Sequence, residues 1–163
     1  MVTNLDVGDL SPDFDLPTDA GRNLRLGDLR RQFVVLFFYP KDDTPGCTAE
    51  ALDFNRLAPR FAKAGAAVIG VSPDSVRRHA NFKRKHGLAL TLASDPSHVT
   101  LEAYRVWKEK SLYGRKYMGV ERTTAIVDPE GRIIRLWRKV SVAGHADEVL
   151  AALEAAQATF ANH

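Results

Sequence analysis

The segment Tyr39-Pro40-Lys41-Asp42-Asp43-Thr44-Pro45-Gly46-Cys47-Thr48 holds the only cysteine of the chain. Thr44 is a good N-cap and Pro45 a good first helical residue, so the spacing places Cys47 in the first turn of a helix. Backbone N–H groups there lack intrahelical acceptors and the helix dipole is positive, and both favour a thiolate. The chemistry on offer is nucleophilic attack by sulfur. A lone cysteine is otherwise commonly a small buried hydrophobe, and the spacing by itself leaves both readings open.

A thiolate alone achieves little. For a generic thiol, lowering the pKa from ~8.5 to ~6 multiplies the thiolate fraction at pH 7 by about 30. A Brønsted slope of ~0.45 takes back roughly 13-fold in nucleophilicity, leaving a net gain of about two- to three-fold. A fast enzyme built on this sulfur therefore needs donors aimed at the transition state as well. Thr44 offers a hydroxyl and the turn into the helix offers N–H groups. An arginine has to come from elsewhere.

The elements that must hold this segment alternate along the chain. The continuous apolar run from Phe33 to Tyr39, rich in aromatic and β-branched residues, predicts a central strand buried on both faces. A helix predicted from Thr44 to about Lys63 carries Ala51, Phe54, Leu57, Ala58 and Phe61 at three- and four-residue spacing. Pro59 should kink or loosen its last turn. Ala67 to Val71 predicts a second buried strand, and Ser72-Pro73-Asp74 reads as the cap and first turn of a helix ending at Gly87. A short strand over Thr91 to Ser94 and a brief helix from Asp95-Pro96 toward Tyr104 follow. Phe14 to Leu26, broken by Asp19-Ala20-Gly21, reads as a short hairpin. Thr123 to Val127 and Arg132 to Arg138 flank the turn Asp128-Pro129-Glu130-Gly131 and predict another. An Ala- and Leu-rich helix runs from His145 to Phe160. This order predicts an α/β fold, a central mixed sheet flanked by helices, in a single domain over residues 1–163.

Composition narrows the classes further. With 45% hydrophobic and 26% charged residues the chain has the balance of a globular protein. Lys and Arg number 23 against 20 Asp and Glu, and a net charge of +3 is too small to argue for nucleic acid or an anionic membrane. One cysteine excludes an intrachain disulfide framework and any multi-cysteine zinc or iron–sulfur site. Met1 to Gly8 has neither the basic nor the apolar region of a secretory signal, and no apolar run approaches the ~20 residues of a membrane span. A cytoplasmic location is the expectation. His79, His86, His98, His145 and His163 show no metal-ligand spacing, and there is no glycine-rich phosphate loop, so no metal or cofactor is expected. Arg77, Arg78, Lys83, Arg84 and Lys85 read as a solvated basic face.

Pro40-x-x-x-Thr44-x-x-Cys47 resembles the active-site motif of the peroxiredoxins, thiol peroxidases with a thioredoxin-like fold. The longer string from Phe38 to Thr48 is similar to the bacterioferritin-comigratory (PrxQ) subfamily in particular. The likeness continues through Gly70-Val71-Ser72-Pro73-Asp74-Ser75, Glu109 to Gly119 and Arg122 to Asp128, and so covers nearly the whole chain. The resemblance implies that Cys47 is the peroxidatic nucleophile, that the Thr44 hydroxyl positions the peroxide and that Arg122 is the active-site arginine. It implies Pro40 as the shield of the sulfur from water, with Gly46 and Glu50 beside the substrate. For Glu50, a solvent-facing helix carboxylate is the competing reading. The implied partners are hydrogen peroxide or an organic hydroperoxide and an external thiol (thioredoxin, or glutaredoxin with glutathione), acting on a monomer or weak homodimer.

The chain also departs from the pattern. Many members carry a resolving cysteine five residues after the peroxidatic one, and that position is Leu52. Others place it in the following helix, where Asn81 to His86 include none. A two-cysteine cycle does not transfer, whereas a one-cysteine cycle through a sulfenic acid does. Two other classes compete. A thiol–disulfide exchange protein would generally use C-x-x-C, but the paired position is Thr44. A non-enzymatic binding or holdase module would have no need for Thr44, Cys47 and Arg122 together.

Overall fold

The computed structural model describes residues 4–161; Met1 to Thr3, residue 162 and His163 lie outside the described residues. In chain order the elements are β1 (Asp15–Pro17), β2 (Asn23–Arg25), a 3-10 turn (Leu26–Leu29), β3 (Phe33–Phe38), α1 (Pro45–Lys63), β4 (Ala66–Ser72) and α2 (Val76–His86). They continue with β5 (Thr91–Ser94), α3 (Val99–Ala103), β6 (Trp107–Leu112), β7 (Arg115–Val120), β8 (Thr123–Val127), β9 (Ile133–Trp137) and α4 (His145–Ala161).

The central sheet is mixed, in the order β5-β4-β3-β8-β9. β3 pairs parallel with β4 and antiparallel with β8. Every residue of β3 is buried, as its unbroken apolar run predicts, because both faces of the sheet are covered. The two-residue period divides the strand. Phe33, Val35 and Phe37 face a core with Phe54, Leu57 and Phe61 of α1 and Val149, Leu150 and Leu153 of α4. Val34, Leu36 and Phe38 face a second core with Phe14, Leu16, Leu101, Tyr104, Val106 and Val120. Among the described residues no helix is long and apolar enough to cross a membrane.

Three readings need correction. The helix expected from Ser72 begins at Val76, with Ser75 as its cap accepting from Arg78 N. Ser72 is still in β4, and its hydroxyl donates to the Asp74 carboxylate, so both side chains are spent inside the turn. α1 runs without a break through Pro59 to Lys63. The basic residues of α2 are not simply solvated. Arg78 pairs with Asp74, Lys83 with Asp19 and Lys85 with Asp43.

The β6–β7 hairpin was not anticipated. Its strands are mostly exposed and polar and so lack the apolar alternation of a packed strand. Its two-residue loop, Tyr113-Gly114, has positive φ at both positions, the geometry that matches strand twist.

Candidate active site

Strand register builds the site. Phe38, the last residue of β3, lies opposite Thr123, the first of β8. The chain leaving β3 toward α1 therefore runs beside the residue preceding β8, which is Arg122. Val140 N–H donates to the Arg122 carbonyl and holds that backbone in place. Residues 75 apart in sequence meet at one end of two central strands.

Thr44 caps α1 with extended backbone, and the first intrahelical bond runs from Thr48 N–H to its carbonyl. Its side chain does not cap. The hydroxyl donates instead to the Lys41 carbonyl at 2.8 Å. Two consequences follow from that choice. The N–H groups of Gly46 and Cys47, which helix geometry leaves without a carbonyl, receive no side-chain cap either, and the threonine oxygen keeps its lone pairs to accept a proton-bearing ligand.

Cys47 is only 2% exposed. Arg122 Nη2 donates to its Sγ at 3.4 Å. Arg122 Nη1 donates to Glu50 Oε1 at 2.6 Å. Glu50 is 1% exposed, which overturns its reading as a solvent-facing carboxylate. It lies three residues after Cys47 and four before Phe54, on the buried stripe of α1. Its second oxygen, Oε2, has no hydrogen-bond partner. Burial raises the Glu50 pKa to about 7, outweighing the attraction of Arg122. Burial works against the charge of Arg122, yet Glu50 and Cys47 together raise its pKa. Lys110 of β6 stands close enough that burial and the Arg122 charge lower its pKa, with Cys47 opposing.

A Cβ on Gly46 would lie 3.3 Å from Arg122 Nη2, so a side chain there would press the guanidinium back by a few tenths of an ångström. Pro40 is half-buried at the start of the loop. Cys47, Thr44, Gly46, Glu50 and Arg122 are thus brought to one place, with a nucleophile, a guanidinium aimed at it, free backbone donors and an accepting hydroxyl. Such a set can drive displacement at an atom whose leaving group develops negative charge.

Sequence reasoning missed a buried group behind the loop. His79 is fully buried and contacts Asp42 at 2.7 Å, and Asp42 also accepts from Tyr39 at 2.6 Å. The available signal was His79 lying three residues before Phe82 on the inner face of α2.

The chain matches the model of the AhpC/TSA family over residues 7–136. It is 51% identical over 144 residues to Peroxiredoxin Bcp of Xanthomonas campestris pv. campestris, covering 87% of this chain and 90% of that protein. With Peroxiredoxin Bcp of Bacillus subtilis it shares 47% identity over 150 residues, 92% of this chain and 96% of the relative. Among solved structures, the bacterioferritin comigratory protein of Xanthomonas campestris superposes with a TM-score of 0.87 at 47% identity, covering 94% of this chain and 98% of the other. That protein was studied for its alkyl peroxide reduction activity through trapped intermediate and ligand complexes. A cysteine variant of PrxQ from Xylella fastidiosa superposes with a TM-score of 0.89 at 40% identity, covering 94% and 98%.

Proposed function

This chain belongs to the AhpC/TSA family as a peroxiredoxin of the Bcp/PrxQ group, and from that premise we propose a peroxidase cycle carried by Cys47 alone. The observation that carries the reading is the 3.4 Å contact of Arg122 Nη2 with the buried Cys47 Sγ in the first turn of α1.

The Cys47 thiolate attacks the terminal oxygen of a hydroperoxide. An S–O bond forms as the O–O bond breaks, sulfur loses two electrons, and the departing oxygen takes a proton and leaves as water or an alcohol. Arg122 and the Gly46 and Cys47 N–H groups stabilise the developing charge, while the Thr44 oxygen accepts from the peroxide O–H. Pro40 covers the sulfur at the loop entrance, and Gly46 leaves room for the guanidinium. The alkyl peroxide reduction studied in the Xanthomonas relative supports organic hydroperoxides as well as hydrogen peroxide as substrates.

Resolution falls to an external thiol. Leu52 occupies the position of the missing second cysteine and is exposed. An incoming thiol (thioredoxin, or glutaredoxin with glutathione) attacks the sulfenic sulfur, releasing water and leaving a mixed disulfide that a second thiol clears. Such a supply of reduced thiols fits a cytoplasmic setting. The test follows consumption of hydrogen peroxide and an alkyl hydroperoxide with a dithiol reductant. Turnover by the wild type and none by Cys47→Ser is expected; a wild type without turnover would sink the peroxidase cycle.

A further inference from the structure

A polar cluster that the peroxide chemistry does not use lies behind the cysteine turn. Tyr39, Asp42, Ser72, Asp74 and His79 are all buried. Asp42 accepts the Tyr39 hydroxyl on Oδ1 at 2.6 Å and faces His79 Nδ1 with Oδ2 at 2.7 Å. Its backbone N–H donates to Asp74 Oδ2 at 2.7 Å. The other ring nitrogen of His79, Nε2, lies 3.0 Å from the Ala93 carbonyl. A carbonyl only accepts, so Nε2 carries a hydrogen. One further proton must lie between Nδ1 and Oδ2, because two bare lone pairs at that distance would repel. Asp42, Asp74 and His79 stand close enough to suggest a metal site. Each facing atom already has a hydrogen-bonded partner, however, and the set is complete as a proton-linked network.

The neighbouring residue repeats the arrangement on the outside. Asp43 Oδ1 contacts His86 Nε2 at 2.8 Å, and Oδ2 accepts from Lys85 Nζ at 2.7 Å. Asp43 sits at φ +64°, a left-handed conformation that surrounding contacts must hold in a residue with a Cβ. α2 therefore grips the loop at two adjacent carboxylates, one from inside and one from outside. The loop leads directly into the site, and the Thr44 hydroxyl is itself tied to the Lys41 carbonyl. A displaced loop would carry that hydroxyl with it.

We propose that α2 clamps the peroxide site and that His79 is its principal positioning residue: through Asp42 it holds the 41–43 loop, and the loop holds Thr44 and Cys47 against Arg122. This rests on the reading of Cys47, Thr44 and Arg122 given above.

The test compares two single-turnover rates on folded protein, peroxide reduction and alkylation of Cys47 by iodoacetamide. Alkylation reports the exposure and reactivity of the sulfur, Arg122 contact included, but uses neither the Thr44 oxygen nor the placement of a peroxide, so the ratio of rates isolates placement of the peroxide-binding groups around the sulfur. Misplacement by about an ångström costs about 10²-fold in rate. His79→Ala and Asp42→Ala should lower the ratio by about that factor. Asp42→Asn should recover most of it, since an amide can donate to the Nδ1 of a neutral imidazole and still accept from Tyr39. Should the buried variants fail to fold, the surface double variant Lys85→Ala/His86→Ala is expected to lower the ratio about two- to five-fold, the worth of an exposed ion pair. An unchanged ratio in the variants that fold, or an Asp42→Asn as slow as Asp42→Ala, overturns the clamp. A wild type that alkylates but does not reduce peroxide would count against the peroxidase cycle instead. The clamp is then read from hydrogen exchange over residues 41–48, faster in the variants if it holds and unchanged if it does not.

Discussion

Arg122 divides its guanidinium between a sulfur and a carboxylate, and both contacts can be tested by substitution. In the proposed cycle Arg122→Ala removes a donor and Thr44→Val an acceptor for the reacting oxygens; loss of such a donor typically costs ~10²–10³ in rate, and a loss of similar size is expected for the acceptor. Stopped-flow peroxide reduction should show that loss. Thr44→Val should leave the urea midpoint nearly unchanged, whereas Arg122→Ala also strips buried Glu50 of its partner and should lower it. A near wild-type rate in either variant would remove its assigned role. Thr44→Ser keeps the hydroxyl and should be milder. Glu50 predicts a pH effect on stability. Its carboxyl titrates at about 7 in the fold against 4.5 when free, so the folded chain binds one proton more than the unfolded chain between those values. Stability from this group is fully present below about pH 4.5 and is lost as pH rises through about 7, a change of about 3 kcal/mol. Glu50→Gln cannot titrate. Urea unfolding from pH 4.5 to 8 should show wild type losing ground to Glu50→Gln across that window and no further above it; a constant difference would contradict the burial argument.

Among the elements, β4 packs closely at Gly70. A Cβ on Gly70 would lie 2.7 Å from Phe37 Cζ and 2.8 Å from Leu92 Cδ2, closer than real carbon contacts. Retreat of Phe37 toward α1 is blocked, because it stacks on Phe54 with ring centroids 4.6 Å apart. Gly70→Ala is therefore expected to destabilise by ~1–3 kcal/mol through overpacking. Equilibrium unfolding in urea measures this directly, and an unchanged midpoint would mean that the ring can shift. α2 contributes in another way, since its inner face supplies Phe82 to the core and His79 to the loop beneath the site.

For the whole molecule, the decisive facts are one cysteine and its burial. In the proposed cycle the sulfenic acid at Cys47 has no thiol partner within these 163 residues. Intact mass after one equivalent of hydrogen peroxide should show one added oxygen on the monomer, trappable by a sulfenic-acid reagent. Excess peroxide without reductant should move the mass to two and then three added oxygens as activity is lost, the irreversible end of the oxidation ladder. A stoichiometric disulfide-linked dimer as the first product would point instead to resolution between subunits.

Local pattern determined most of the backbone of this protein, the β6–β7 hairpin and the start of α2 excepted. The apolar run of β3, the Thr44-Pro45 cap of α1, the Gly87 terminus of α2 and the β8–β9 turn are all legible within a few residues, because periodicity and capping are short-range physics. The start of α2 was misread because Ser72 and Ser75 are both good caps, and only the buried Asp74 network chooses between them. Cys47 and Thr44 were legible as chemistry from spacing, while Arg122 entered only through family resemblance. What brings Arg122 to the sulfur is the Phe38–Thr123 register, a pairing between distant strands that no local signal encodes. Glu50 lay on the buried stripe of α1, yet its charge made a solvated place equally reasonable until the fold supplied a guanidinium to meet it. The partnership of Asp42 and His79, 37 residues apart, was decided by tertiary packing alone, because a histidine on an inner helix face does not announce which loop will lie against it.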